Sequence, residues 1–279
     1  MDLPRQVIIR EVGPRDGFQS LKTFFSTTDK LDVIEAISRA GVTQIETTSF
    51  VSPRAIPQLK DAAEVMAGVS RQGVIHAAMV PNMEGAEKAL AAGADQLVVV
   101  ISATEAHNRA NVRRGIDASL ADLDGIFFLA RQQLIPVVGA IAVAFGCPYQ
   151  GDVPSADVFD IANAYLEKGA VSVILADTTG MATPIRVTNL ADEFQRRFSE
   201  PELIFHFHNN RGIAMANLLA ALTVGVIRFD TALGGIGGCP YVPQASGNLA
   251  TEDVVFMLED MGVYTGIDLS KFIHAARLL

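Results

Sequence analysis

Residues 154–176, PSADVFDIANAYLEKGAVSVILA, hold a complete helix-to-strand junction. After the Pro-Ser start, apolar side chains recur with the spacing of one helix face, at Val158, Ile161, Tyr165 and Leu166. Gly169 is typical of a helix end, and the apolar run 171–176 that follows is typical of a strand. The stretch therefore predicts an amphipathic helix that leads directly into a buried strand.

The same unit recurs along the chain. Apolar runs rich in β-branched residues predict seven further strands, at 7–12, 44–48, 74–79, 96–101, 136–144, 203–207 and 226–230. Three other helix-ending glycines also directly precede a strand, namely Gly41, Gly93 and Gly225. The intervals between the four glycines hold two strand–helix units each, so the whole chain carries about eight units.

Eight alternating units match a (β/α)8 barrel, which takes roughly 250 residues. An open doubly wound sheet has the same alternation, but its first strand normally leads into a glycine-rich nucleotide turn. Here residues 13–17 read GPRDG, which is not such a turn. We therefore predict an α/β protein with one domain, a TIM barrel over about 7–262 and a short C-terminal helical extension over about 263–279.

Composition narrows the class of protein. The 279 residues include 22 Lys and Arg against 31 Asp and Glu, a formal charge of −9, and the mean hydropathy is +0.29. A compact fold is expected, while nucleic acid is an improbable partner for so acidic a chain. Neither a long apolar run nor a basic leader is present, so we expect a cytoplasmic protein without membrane contact. Two cysteines are too few for a disulfide framework.

Polar residues collect where the predicted strands end. Barrel active sites lie at the carboxyl ends of the strands, so these side chains are expected to share one mouth. The candidates are Arg15 and Asp16 after the first strand, Glu46 on the second, Asp177 after the sixth, His206 and His208 on the seventh, and Cys239 and Asn248 after the eighth.

The His206-Phe207-His208 segment predicts a metal clamp, because alternate residues of a strand point to the same side. Asp16 and Asn248 at neighbouring strand ends would add oxygen ligands. Nitrogen and oxygen donors with open positions favour Mg²⁺ or Mn²⁺ over a structural zinc site. The alternative is a pair of histidines that are hydrogen-bonded for structural reasons.

The other candidates each have a structural alternative. Cys239 follows four glycines in five positions, which fits a reactive thiol on a mobile loop; otherwise it is a buried, inert cysteine, as we expect for Cys147 in the similar segment 146–149. Arg15 fits an oxyanion partner or a salt bridge. Asp177 fits a catalytic group or a helix cap, and Glu46 fits a side chain that orients the site or a buried ion pair.

Five segments in family order closely resemble the hydroxymethylglutaryl-CoA lyases of the DRE-TIM metallolyase superfamily. They are EVGPRDG at 11–17, IETTSFVSP at 45–53, AFGCPY at 144–149, HFH at 206–208 and GGIGGCPYVPQASGNLATED at 234–253. The resemblance implies a barrel that cleaves 3-hydroxy-3-methylglutaryl-CoA to acetyl-CoA and acetoacetate. It implies a divalent cation on Asp16, His206, His208 and Asn248, Arg15 beside the developing enolate, and Cys239 as an acid or base.

The resemblance also implies an acyl-CoA substrate and a homodimer or higher homo-oligomer. We assign substrate binding to Arg15, Gln19, Asn111 and Arg211. The family pattern is broken at 18–21 and 208–212, and by Ala140 where the family commonly has tyrosine. These departures leave open a lyase for another 3-hydroxy-3-substituted acyl-CoA. A condensing synthase that uses acetyl-CoA and a catalytically inactive barrel are further alternatives.

Overall fold

Eight parallel strands close into a barrel in chain order, as the sequence predicts. The computed structural model describes residues 3–198, 202–238 and 247–279. The strands are β1 (Ile8–Glu11), β2 (Gln44–Ser49), β3 (Ile75–Met79), β4 (Gln96–Ser102), β5 (Val137–Ala142), β6 (Ser172–Asp177), β7 (Glu202–Phe207) and β8 (Arg228–Thr231).

Helices follow the strands and surround the barrel. They are α1 (Thr27–Arg39), α2 (Ala62–Gly68), α3 (Met83–Ala91), α4 (Glu105–Val112), α5 (Ile116–Gln132), α6 (Ser155–Lys168), α7 (Pro184–Arg197), α8 (Ala214–Thr223), α9 (Thr251–Asp260) and α10 (Leu269–Ala276). None of the helices in the described residues is long and apolar enough to cross a bilayer.

Residues 154–176 form α6 and nearly all of β6. The helix buries Val158, Ile161 and Tyr165 on one side, and Gly169 ends it with φ +102°, in the left-handed region that glycine adopts without strain. Its backbone N–H closes the last turn by donating to the Leu166 carbonyl. The junction prediction is therefore confirmed, and its physical basis is local.

Residues near both ends of the chain meet at the amino-terminal ends of the strands. The Val7 N–H donates to the Tyr264 carbonyl over 3.0 Å, and the Asp268 N–H donates to the Ala40 carbonyl over 2.7 Å. Helix α10 lies in the predicted extension 263–279 and packs against α1. These two bonds lie near the starts of β1 and β2, whereas the polar residues lie at the carboxyl ends of the strands.

Two apolar clusters hold the barrel. The larger one lies between the strands and the helices. The smaller one fills the inside of the barrel from β3 to β7, with Ala77, Val98, Val138, Ala140, Ile174 and Ile204. The strand register puts Arg10 of β1 opposite Asp230 of β8, and Asp230 opposite His206 of β7. The remaining part of the interior is therefore charged.

Candidate metal centre and active site

Three predicted metal ligands come together at the carboxyl ends of the strands. Asp16 lies in a single wide helical turn, Gly13–Gly17, directly after β1, while His206 is the next-to-last residue of β7 and His208 follows the strand. One ligand atom from each residue lies within 4.8 Å of the others. All three side chains are buried, so the cluster is a formed pocket of donors rather than a chance surface grouping.

Neighbouring acceptors fix the orientation of both imidazoles. His206 Nδ1 lies 3.1 Å from Asp230 Oδ2, and His208 Nδ1 lies 3.1 Å from the Asp177 carbonyl oxygen. With Nδ1 as the donor in each case, Nε2 keeps its lone pair for a metal ion. His208 Nε2 is buried 3.5 Å from Asp16 Oδ2 and has no hydrogen-bond partner among the residues that the structure describes. That orphaned atom fits a metal ligand.

Asn248 joins the cluster as the sequence predicts. Its Nδ2 atom donates to Asp16 Oδ2 over 2.7 Å and to the Ile236 carbonyl over 3.0 Å. The carbonyl Oδ1 takes no part in those two bonds and is the oxygen with which an amide binds a cation. A Cβ atom at Gly237 would lie 2.3 Å from Nδ2 of Asn248, so only glycine lets the loop approach this closely.

Arg15 lies beside the metal cluster and is held on two sides. Its Nη1 donates to Asp16 Oδ1 over 2.6 Å, and its Nε donates to Glu46 Oε1. Gln19 Nε2 donates to the same Asp16 oxygen over 2.8 Å. Burial opposes ionisation of Asp16, but the Arg15 charge and the nearby imidazoles outweigh it and hold the pKa of this carboxyl well below its usual range.

Two charged residues that the sequence reasoning missed lie beneath this site. Arg10 donates two parallel hydrogen bonds to Asp230, from Nε to Oδ1 over 2.8 Å and from Nη2 to Oδ2 over 2.7 Å. The same Nη2 atom lies 3.1 Å from Glu46 Oε2. Burial opposes ionisation of Asp230, but the Arg10 charge prevails and lowers its pKa to about 2. A charged residue inside an otherwise apolar strand was the available signal.

The charges of this network fit a divalent cation. Two guanidinium groups, Arg10 and Arg15, face three carboxylates, Asp16, Glu46 and Asp230. With neutral imidazoles the buried group carries one net negative charge, and isolated buried charge is costly. A divalent cation and one substrate carboxylate would bring that sum to zero. The donor types and the charge therefore both fit a divalent ion.

Asp177 ends β6 and has one engaged oxygen and one free oxygen. Oδ1 accepts from the backbone N–H groups of Met181, over 2.7 Å, and Ala182, over 3.1 Å, in the loop before α7. The helix-cap alternative for Asp177 is therefore wrong, because the residue at the N-cap of α7 is Thr183. Oδ2 is buried and, within the described part of the chain, has no hydrogen-bond partner. Burial, opposed by those two N–H bonds, raises the pKa of Asp177 to about 6. Asp177 thus fixes the loop before α7 through one carboxylate oxygen and keeps the other oxygen available.

The remaining predicted residues have varied surroundings. Arg211 Nη1 donates to the carbonyls of Thr179 and Gly180, both over 2.8 Å, so part of its fork braces the loop after β6. Asn111 is exposed in α4 and forms no hydrogen bond with the metal cluster in the described residues. Cys239 lies outside the described residues. Cys147 is buried beside Thr104, with 3.1 Å between Sγ and Oγ1.

Glu11 is another residue to which sequence reasoning gave no role. Its Oε1 accepts from the N–H groups of Gly13 and Leu233, each over 2.8 Å, and its Oε2 accepts from Thr251 Oγ1 over 2.6 Å. Burial raises the pKa of Glu11 to about 7, although those three hydrogen bonds oppose the shift. Glu11 therefore links three segments: the turn that contains Asp16, the start of the glycine-rich loop, and α9.

Comparison with known proteins places this geometry in a family. The HMGL-like family description matches residues 6–279. A curated relative, hydroxymethylglutaryl-CoA lyase YngG of Bacillus subtilis, is 42% identical over 278 residues, which is 99% of this chain and 93% of the relative. The mitochondrial hydroxymethylglutaryl-CoA lyase of Homo sapiens is 40% identical over 278 residues, 99% of this chain and 86% of the relative.

Solved structures agree with the sequence relatives. The HMG-CoA lyase of Bacillus subtilis superposes with a TM-score of 0.96 at 42% identity, covering 99% of this chain and 93% of the other. An HMG-CoA lyase from Acinetobacter baumannii, solved with coenzyme A and 3-methylmalate, superposes with a TM-score of 0.94 at 42% identity, covering 98% and 90%. Both likenesses span nearly the whole chain.

Proposed function

The chain belongs to the HMGL-like family, and from this premise we propose that it is a divalent-metal-dependent carbon–carbon lyase. It cleaves 3-hydroxy-3-methylglutaryl-CoA to acetyl-CoA and acetoacetate. The observation that carries the proposal is the buried Asp16, His206 and His208 cluster with Arg15 against it. Mg²⁺ or Mn²⁺ suits this mixture of nitrogen and oxygen donors.

Asp16, His206, His208 and Asn248 would hold the ion. When bound, the cation lowers the pKa of the substrate's tertiary hydroxyl and orients its distal carboxylate. The His206 and His208 rings need no reorganisation for this, because Asp230 and the Asp177 carbonyl already fix them. A relative solved with coenzyme A supports an acyl-CoA substrate.

Bond cleavage then needs a base, an oxyanion partner and an acid. A base takes the proton of the C3 hydroxyl, the C3 oxygen forms the ketone of acetoacetate, and the electron pair of the C2–C3 bond moves to the thioester enolate. Arg15 stabilises that enolate oxygen. The Cys239 thiol gives a proton to C2, which completes acetyl-CoA. The base then releases its proton to solvent, and solvent returns a proton to the thiolate.

The other site assignments are part of the same proposal. Asp177 is our candidate for the base, since its Oδ2 is buried and accepts no hydrogen bond. Glu46 holds Arg15 in place through the bond between Oε1 and Nε. Gln19, Asn111 and Arg211 remain proposed contacts for the acyl-CoA. We also propose one catalytic domain, a homo-oligomeric assembly and a cytoplasmic location.

Product analysis tests the proposal. Purified protein with Mg²⁺ is given hydroxymethylglutaryl-CoA, and acetyl-CoA and acetoacetate are measured. We expect equal amounts of both products, loss of at least a hundredfold in rate with Cys239→Ala, and little change with the matched Cys147→Ala. A protein that binds metal but forms neither product would refute the assigned reaction.

A wider substrate range is a second candidate, supported by one observation. The deep inward side chains Val98, Val138 and Ile174 are at most 2% exposed. The side chains two residues further along β4 and β6, Val100 and Ala176, are partly exposed. Val100 and Ala176, together with Met79 and Ala140, form one wall of the barrel near its mouth. Their side chains are small or flexible. A C3 branch longer than methyl fits against such a wall.

A substrate series tests this range. Rates are compared for the 3-methyl and 3-butyl forms of 3-hydroxyglutaryl-CoA. We expect kcat/KM values within about tenfold of each other, and Ala140→Phe should depress the butyl value at least tenfold while the methyl value stays within about threefold. Cleavage of the methyl form alone by the unaltered protein would restrict it to the ordinary substrate.

A further inference from the structure

We propose that Arg10 is a positioning residue that fixes Arg15 and His206 at once, through Glu46 and Asp230. This inference rests on the lyase function for its kinetic consequences. Arg10 lies inside the barrel and is 3% exposed, so the substrate does not touch it. Its effect on the reaction has to pass through the two carboxylates that it contacts.

Each of those carboxylates has a second bond to a functional side chain. Asp230 Oδ2 accepts from Arg10 Nη2 and also lies 3.1 Å from His206 Nδ1. Glu46 lies 3.1 Å from Arg10 through Oε2 and accepts from Arg15 through Oε1. The chain of contacts from Arg15 to His206 therefore has Arg10 at its centre.

The guanidinium group is suited to this place for geometric and electrostatic reasons. Its planar fork sets the angle of Asp230 as well as its distance, because Nε and Nη2 bind one oxygen each. Without Arg10, Asp230 would lose its guanidinium partner, and Glu46 would keep the charge of Arg15 alone. Each would then shift or take up a proton, and the side chains that they hold would move with them.

A purely stabilising ion pair elsewhere in the molecule offers a matched control. Lys30 of α1 is 1% exposed and binds Asp61 together with the Gln58 carbonyl. It is a buried cation paired with a carboxylate, as Arg10 is, but it is not part of the chain of contacts to the metal cluster. Lys30→Met therefore reports the cost of losing buried charge pairing alone.

The experiment compares Arg10→Lys with Lys30→Met in the full chain. Mn²⁺ affinity is measured by the electron paramagnetic resonance of free Mn²⁺, and kcat, KM and Tm are measured beside it. We expect Arg10→Lys to weaken Mn²⁺ binding about tenfold or more and to lower kcat by 10- to 100-fold, with KM within about threefold. Lys30→Met should lower Tm and leave the Mn²⁺ Kd within twofold.

A fall in Tm for Arg10→Lys with Mn²⁺ Kd and kcat within twofold of the unaltered protein would overturn the proposal. If Arg10→Lys does not fold, Asp230→Asn replaces it, and an unchanged Mn²⁺ Kd in that variant also overturns the proposal. The Mn²⁺ measurement needs no turnover. A protein that cleaves no acyl-CoA yet loses Mn²⁺ affinity in these variants would refute the lyase function and support the role of Arg10 in positioning His206.

Discussion

The two halves of the barrel interior are built from opposite chemistry. Inward side chains on β1, β2, β7 and β8 include Arg10, Glu46, His206 and Asp230, which are linked by hydrogen bonds and ion pairs. The inward side chains of β3 to β6, together with Ile204 of β7, form an apolar cluster held by packing. A hydrogen-bonded charge depends on one distance and one angle, whereas packing depends on volume. The charged half is therefore suited to hold a metal ion, and the apolar half is suited to select a substrate by size.

Removing a charge from the metal cluster should have the largest effect. In Asp16→Asn the ion would lose its carboxylate ligand, and Arg15 would lose one of its two carboxylate partners. We expect kcat to fall about 10³-fold, equivalent to about 4 kcal/mol, and Mn²⁺ affinity to fall with it. Steady-state kinetics and Mn²⁺ titration measure both. The control is Asp152→Asn, at an exposed ion pair with Arg186; equal kinetics in the two variants would contradict the comparison.

A buried carboxyl without a cationic partner should change the stability of the protein with pH in the opposite direction from a carboxyl that is paired with a cation. Glu11 has no guanidinium partner, and burial raises its pKa from 4.5 to about 7 in the folded protein. The neutral form is favoured by folding, so its stabilising contribution is complete below pH 4.5 and is lost as pH rises through about 7. That loss amounts to about 3 kcal/mol.

Glu11→Gln keeps an acceptor for Gly13 and Leu233 but has no charge to bury. Urea denaturation from pH 4.5 to 8 should show the variant gaining about 3 kcal/mol relative to the unaltered protein as pH rises, with no further gain above pH 8. A difference between the two proteins that stays constant over that range would show that Glu11 is ionised in both states.

A change of volume in the apolar half should have the smallest effect on the chemistry. Ile174 of β6 is 2% exposed within the inner cluster. Ile174→Val removes one methylene, so we expect the free energy of unfolding to fall by about 1 kcal/mol while Mn²⁺ affinity stays within twofold. Urea denaturation and Mn²⁺ titration check this. A tenfold loss of Mn²⁺ affinity would mean that the two halves are not independent.

The features that the sequence predicted are local ones. Helix ends such as Gly169 and the strand periodicity depend on neighbouring residues, so the barrel followed from eight recurring units. The candidate metal ligands followed from one rule about strand ends together with residue type. Asp16, His206, His208 and Asn248 were brought together as expected.

Features that depend on register between distant strands were missed. Arg10 and Asp230 are separated by 220 positions and meet only because β1 and β8 close the barrel. Glu11 depends in the same way on where the loop after β8 returns to β1. Arg211 was identified by its charge, but the carbonyls of Thr179 and Gly180 that it braces belong to another loop.

The central claim is that the charged half of the barrel mouth holds a divalent cation on which cleavage depends. Chelator-treated protein is titrated with Mn²⁺, and bound Mn²⁺ and acetoacetate formation are measured in the same samples. We expect one Mn²⁺ per chain and a rate that rises from near zero in proportion to occupancy. A full rate in the metal-depleted protein, or a rate that does not follow bound Mn²⁺, would contradict it.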